Sequence, residues 1–201
     1  SKKVEARKMT SLEAYKQRDD TEQKAIFYIV GENEKILRSS PLLESYNKNN
    51  IEVLILDDKE IDEIITPTIG AYKDWEFKDI TSCEPPKVEQ SEEAKKEVEE
   101  KFESILAKIK DKLGDAVKDV KVTNRLSESP SCVVKDVADA QMAQMMQMMR
   151  AMGQEMPESA PILEINPEHE IVKKLNGCSD ESTIEDVSWI LLDQAKLSEG
   201  M

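Results

Sequence analysis

The sequence predicts two joined units. The first is α/β with a small parallel sheet, and the second is mixed α+β with a short sheet and a helical end. Three observations carry this. Two short, continuous apolar runs, AIFYIV at 25–30 and IEVLIL at 51–56, precede a weaker one, WEFKDI at 75–80, with helical segments between them. Strand, helix, strand, helix, strand implies right-handed crossovers and a parallel sheet covered by helices. The polar stretch SCEPPKVEQ at 82–90, stiffened by Pro85 and Pro86, marks a boundary between residues 1–85 and 91–201. Beyond it, a long amphipathic helix is followed by short strand patterns and further helices, which is an α+β order.

In chain order, residues 2–18 read as polar helix, with Thr10 or Ser11 followed by Glu13 as a possible new start. Gly31 closes the first strand. Between the first two strands a helical segment sets Pro41 in a first turn and turns Leu42, Leu43 and Tyr46 inward. Residues 58–72 read as helix interrupted near Pro67 and Gly70. After the boundary, Ser91 is a cap with Glu92 and Glu93 in the first turn. Ala94, Val98, Phe102, Ile105, Ile109 and Leu113 form the inner face, and Gly114 ends the helix. Strands are predicted over 117–126, 132–134 and 162–165. Asn166-Pro167 opens a helix carrying Ile171, Val172 and Leu175.

Composition narrows the function classes. The chain has 201 residues and a net charge of -14, so neither nucleic acid nor an anionic membrane is expected as a partner; both need a basic footprint. Aromatics are 4% of the residues, so the cores must be aliphatic. Cys83, Cys132 and Cys178 are odd in number and far apart, without disulfide or metal-ligand spacing, which fits a reducing cytoplasm. No run reaches membrane-spanning length, and the chain opens at Ser1 in charged sequence without an initiator methionine, as expected of a piece of a longer protein.

One stretch stands apart. Residues 138–156 hold seven of the nine methionines. Met142, Met145, Met146, Met149 and Met152 recur at spacings of three and four and share a helix face, which Met148 widens. Methionine has soft torsions and a polarizable sulfur, so such a face adapts to partners of many shapes. Two other readings stand beside this one: an ordinary buried core face, and thioether ligation of Cu(I) with no cysteine or histidine nearby to anchor it. The last helix, about 182–197, has Ile184, Val187, Trp189, Ile190, Leu191, Leu192, Ala195 and Leu197 nearly all round its axis. Such a helix needs cover on every side, and each buried side chain contributes roughly 1.5–3 kcal/mol. The cover is expected from a second subunit or from sequence after Met201.

Catalytic signals are sparse. His169, the single histidine, lies between Glu168 and Glu170 on an apparent first turn and reads as structural. There is no phosphate loop, no glycine-rich turn after the first strand and no nucleophile motif. An enzyme built on the parallel sheet is therefore a weak rival. No catalytic, cofactor or metal residue is assigned.

The segments SLEAYKQR, IFYIVGE, SSPLLE, IEVLILDD and KEIDEI, in that order, resemble the end of the middle domain of the ninety-kilodalton heat-shock chaperones. VKDVKVTNRLSESPSCVV, LEINPEHEIVKKL and LLDQAKLSEG resemble the C-terminal domain of the bacterial members. The resemblance implies a homodimer whose C-terminal domain ends in a helical bundle shared by two subunits, with one further helix normally following. ATP and Mg belong to an N-terminal domain that nothing here matches, so no ATPase is expected of this stretch. Non-native client proteins are the implied partners, with co-chaperones as a further class. The family's client-touching helix falls on the methionine stretch and implies Met145, Met148 and Met149 as contacts, with Met142 and Met152 beside them. Gln141 stands where relatives keep another methionine. A second contact follows the IDE motif, at Glu63 and Ile64, where relatives often place an aromatic. The implied dimer interface is Ile184, Val187, Trp189, Ile190, Leu191, Leu192 and Ala195. The alternative is a purely structural dimerisation module with the methionines buried.

Overall fold

The first apolar run becomes a strand buried on both faces. In the computed structural model, which describes residues 9–18, 23–85, 92–136 and 159–200, β1 (Ala25–Val30) has every residue from Ala25 to Ile29 buried. It lies between β2 (Val53–Leu56) and β4 (Trp75–Asp79) and runs parallel to both. That central position accounts for the unbroken apolar run, because neither face meets water.

The sheet is mixed rather than purely parallel. Its order is β2-β1-β4-β3, and the short β3 (Ala71–Tyr72) pairs antiparallel with β4. The helix expected over 58–72 ends earlier, as α4 (Lys59–Ile69). Gly70, at φ 67°, turns the chain out of the helix into β3, a conformation that costs glycine little. The single helix expected between β1 and β2 is two: α2 (Glu34–Ser39), capped by Asn33, and α3 (Leu43–Lys48), with Pro41 in the connection. Leu42, Leu43 and Tyr46 do turn inward. Within residues 9–18, the part of the expected first helix that is described, helix is α1 (Leu12–Gln17), where Ser11 accepts from the Ala14 N–H; Met9 and Thr10 are outside it. The Tyr15 hydroxyl donates to the Glu52 carbonyl at 2.7 Å, and Arg18 pairs with the Glu52 carboxylate at 2.8 Å, tying α1 to the start of β2.

The second half begins with α5 (Glu92–Leu113). Its inward positions Phe102, Ile105, Ile109 and Leu113 are buried at helical spacing, and Gly114, at φ 51°, ends it. The strand expected over 117–126 is confined to β5 (Asp119–Val122), preceded by a 3-10 turn (Gly114–Ala116). β6 (Ser131–Val134) and β7 (Ile162–Ile165) complete a sheet of order β5-β7-β6, parallel between β5 and β7 and antiparallel between β7 and β6. Then come α6 (Glu170–Asn176) and α7 (Glu181–Ser198). Asn166 caps a turn rather than the helix, accepting from the Glu168 N–H at 3.0 Å. The cap of α6 is His169, whose Nδ1 accepts from the Ile171 N–H at 3.2 Å, so the imidazole has a structural partner.

β6 and β7 of the second sheet are buried on both faces. Side chains alternate along a strand, so Val133 and Leu163 join a core with α5, α6 and α7. Cys132, Val134 and Ile162 join the opposite core, built with Phe27, Leu42, Tyr46 and Ile80 of the first half. A backbone bond from Lys135 N–H to the Thr81 carbonyl, 2.8 Å, reinforces that contact. The apolar core therefore crosses the compositional boundary at 82–90, of which residues 86–90 lie outside the described part.

Candidate interaction surfaces

Helix α4 turns an aliphatic stripe to solvent. Ile61, Ile64, Ile65 and Ile69 are 51%, 58%, 47% and 52% exposed. Spacings of three and four put them on one face, while Thr66 is buried on the side that rests on β1 and β4. The N–H of Asp58 donates to the Asp62 carboxylate at 3.2 Å, closing the first turn. Burial and the neighbouring Asp58 and Asp57 carboxylates raise the Asp62 carboxyl above its ordinary range, against the lowering effect of that N–H. Pro67 has no N–H to give to the Glu63 carbonyl. The Thr68 hydroxyl meanwhile donates to the Ile64 carbonyl at 2.7 Å, so the last turn keeps a bond. The surface is thus apolar along its crest and acidic on its N-terminal shoulder.

Of the two candidate residues here, Ile64 sits on the crest. Glu63 lies about 100° round the axis and is half-buried. Ile61, Ile65 and Ile69 join Ile64 on that crest, and their period of three and four is legible in KEIDEIITPTI. A helix between two strands of a sheet is expected to pack its apolar face inward, and this one turns much of it out. Met142, Met145, Met148, Met149 and Met152 lie outside the described residues.

Helix α7 divides its apolar residues between two sides. Ile184, Leu191, Leu192 and Ala195 are at most 1% exposed, and Val187 packs against the same core. These four are covered by their own chain, chiefly by α5 and the second sheet, so the cover expected from a partner is not needed for them. Ser188 joins the buried side because its hydroxyl donates to the Ile184 carbonyl at 2.6 Å. On the outer side Trp189, Ile190 and Leu197 are 39%, 58% and 72% exposed. Of the seven candidate interface residues, Trp189 and Ile190 lie on this exposed side with Leu197 beside them, Val187 is half-buried, and Ile184, Leu191, Leu192 and Ala195 are buried.

A third arrangement was invisible in the sequence. The Arg125 guanidinium lies between the halves, with Nε 2.7 Å from Glu164 Oε2 and Nη1 3.4 Å from the carbonyl oxygens of Ile80 and Cys83. The two side chains are 6% and 13% exposed. The Nε–Oε2 contact is short but off the N–H direction, so it acts as an ion pair more than as a hydrogen bond. Cys132 is buried beside Glu164, and burial pushes its thiol well up, which keeps it protonated and unreactive. Burial likewise raises the Cys83 thiol, partly offset by its contact with the Tyr46 hydroxyl.

These features do not form a reaction centre. An open groove of about 600 Å³ between α5 and β5 is lined by Glu99, Glu100, Glu103, Leu106 and Lys121 with two valines, without imidazole, thiol or hydroxyl. Among the described residues, no three metal-ligating side chains converge and no helix is long and apolar enough to cross a membrane.

The whole chain, residues 1–201, matches the family model described as Hsp90 protein. It is 85% identical over 201 residues to the chaperone protein HtpG of Aliarcobacter butzleri (strain RM4018), covering all of this chain and 32% of that protein. It is 58% identical over 193 residues to the HtpG of Sulfurovum sp. (strain NBC37-1), covering 96% of this chain and 31% of the relative. To the HtpG of Treponema denticola it is 48% identical over 204 residues, covering all of this chain and 32% of the relative. The chain thus spans about a third of the length of these relatives. A family model that matches the whole chain and identities of this extent mean that the chain belongs to the Hsp90 protein family.

Proposed function

We propose that the chain is the end of the middle domain (1–85) and the C-terminal domain (91–201) of a cytoplasmic, HtpG-type chaperone. In this reading it holds non-native proteins and dimerises through α7; the ATP chemistry belongs to the N-terminal part of the full-length protein. The observation that carries the reading is the four-isoleucine crest of α4. An ordered helix that leaves four large aliphatic side chains half in water is matched to apolar segments of another protein. Burying each of them against a client contributes roughly 1.5–3 kcal/mol before ordering costs. The methionine stretch supplies a second contact with a softer surface. Two copies in a dimer multiply contacts that are weak singly. Co-chaperones are a further partner class. The outer side of α7, with Trp189, Ile190 and Leu197, supports the dimer part.

The test is binding of a reduced, alkylated and therefore permanently unfolded model protein, followed by fluorescence anisotropy. Ile61→Ser with Ile64→Ser and Ile65→Ser, and separately Met145→Ser with Met148→Ser and Met149→Ser, each weaken binding at least tenfold with the melting temperature held. Affinity equal to that of the parent chain in both variants refutes the reading. The rival, a structural dimerisation module with a buried methionine face, requires instead that the methionine variant lose several degrees of melting temperature.

A further inference from the structure

Residues 40–44, the connection between α2 and α3 with the first turn of α3, grip two separate parts of the second half. At one end, the Glu44 carboxylate lies in a loop of three consecutive backbone N–H groups, those of Ser127, Glu128 and Ser129, with closest approaches of 2.6, 2.9 and 3.1 Å. The Ser129 hydroxyl also donates to it. Consecutive N–H groups converging in this way form an anion seat, and here the anion belongs to the protein. These four bonds hold the Glu44 carboxyl below its ordinary range in spite of its burial. At the other end, the buried Ser40 hydroxyl accepts from the Leu42 N–H at 3.2 Å and donates to Glu199 Oε1 at 2.6 Å. Glu199 follows α7 directly, and Gly200 lies against α2: a Cβ added there would sit 3.5 Å from Ile36 Cγ2.

The two grips differ in charge balance. Glu44 has its seat of N–H groups. Glu199 has one hydroxyl, and among the described residues no basic side chain forms an ion pair with it. It also lies at the C-terminal end of a helix, where carbonyl oxygens disfavour negative charge. The charges around it do not help. Asp79, at the end of β4, opposes ionisation of Glu199; Arg38 on α2 is engaged by Glu34 at 2.8 Å; Glu44 is fixed in its seat; Cys132 on β6 is a buried neutral thiol.

We propose that residues 40–44 and Glu199 form a proton-operated clasp: it holds the end of α7 on the first half while Glu199 is protonated, and loosens when that proton leaves. Burial lifts the Glu199 carboxyl to about 7 against an ordinary 4.5, with Asp79 adding to the rise and Ser40 opposing it. A carboxyl that is raised in the closed state favours closure in full below its open-state value. The preference is lost as pH climbs to the closed-state value. Linkage between these two values makes opening roughly tenfold more frequent at pH 8 than at pH 6. The Glu44 seat stays occupied throughout that range, because its carboxylate ionises at lower pH. Opening therefore frees the end of α7 while the 127–129 loop stays held.

The experiment is amide hydrogen exchange on the full 201-residue chain from pH 6 to pH 8, corrected for the intrinsic pH dependence of exchange. It is read at Leu42, whose N–H bonds the Ser40 hydroxyl, and at Gly200, whose N–H bonds the Leu197 carbonyl. Protection at both falls about tenfold in the parent chain. Glu199→Gln, a permanently neutral replacement of the same shape, holds it level. Carboxyl carbon chemical shifts of the unsubstituted chain give an independent reading, with a Glu199 midpoint near 7. Level protection in the parent chain, an equal fall in Glu199→Gln, or a midpoint near 4.5 overturns the clasp.

Discussion

Replacement of Arg125 by methionine tests whether the two halves are joined by a charge that neither can leave alone. The guanidinium is 6% exposed, and it faces Glu164 at 2.7 Å and two backbone carbonyls at 3.4 Å. Methionine keeps much of the volume and removes the charge. Glu164, itself 13% exposed, is then a buried carboxylate with no counter-ion, and Ile80 and Cys83 each lose a donor. Removing one partner of a buried pair costs about 3–5 kcal/mol. For a chain of this size each kcal/mol lowers the melting temperature by about 2–4 °C, so the single variant should melt about 6–20 °C lower. The double variant Arg125→Met with Glu164→Leu removes the stranded charge as well. Since desolvation and attraction nearly cancel in such pairs, it should regain most of the loss. Thermal unfolding followed by circular dichroism reads both, and the double-mutant cycle isolates the pair. If the single variant loses less than about 1 kcal/mol, or the double falls as far as the single, the pair is not the buried junction described above.

Three further outcomes follow from the same geometry. Glu44→Ala should cost about 1–3 kcal/mol, the value of charge-assisted hydrogen bonds partly replaced by water at the exposed Ser127 and Glu128; urea denaturation measures it. Because the folded-state Glu44 carboxyl is held below its unfolded value of 4.5, this difference between parent and variant should be complete above pH 4.5 and shrink as pH falls through the folded-state value. Leu191→Ala and Ile190→Asp, neighbours on one helix, should separate core from contact surface. The first loses about 2–5 kcal/mol of folding stability, whereas the second leaves stability within about 0.5 kcal/mol but weakens self-association in sedimentation equilibrium. His169→Ala should lower stability by about 0.5–2 kcal/mol through the lost cap on α6, measured by thermal unfolding near neutral pH.

Local signals made much of the frame legible. The apolar run at 25–30 stated that β1 is covered on both faces, and the spacing from Phe102 to Leu113 stated which side of α5 is buried. Gly114 and the strand at 162–165 fell where their residue types demand. The motifs that resemble the ninety-kilodalton chaperones pointed to the family that the match over residues 1–201 then established. The misreadings share a cause. β3 is two residues long and has no period of its own, so only its pairing with β4 defines it. Asn166-Pro167 carries a helix-start signal, yet Asn166 was drawn into a turn and its amide donates to the Ser129 carbonyl at 3.1 Å.

The sequence by itself determined most of the long helices and the central strands, which residues are apolar, and that the whole is acidic and aliphatic. Those properties come from backbone propensity and from periods of two and 3.6 residues, which act between near neighbours. Tertiary structure alone decided which apolar faces are covered. Leu191 and Ile190 are adjacent and equally greasy, but one is 1% exposed and the other 58%, because the chain's own elements cover only one side of α7. It also decided the partners of Glu44, Arg125 and Glu199. Each meets its contact across dozens of residues, and no local rule records a pairing that exists only once the two sheets are in place.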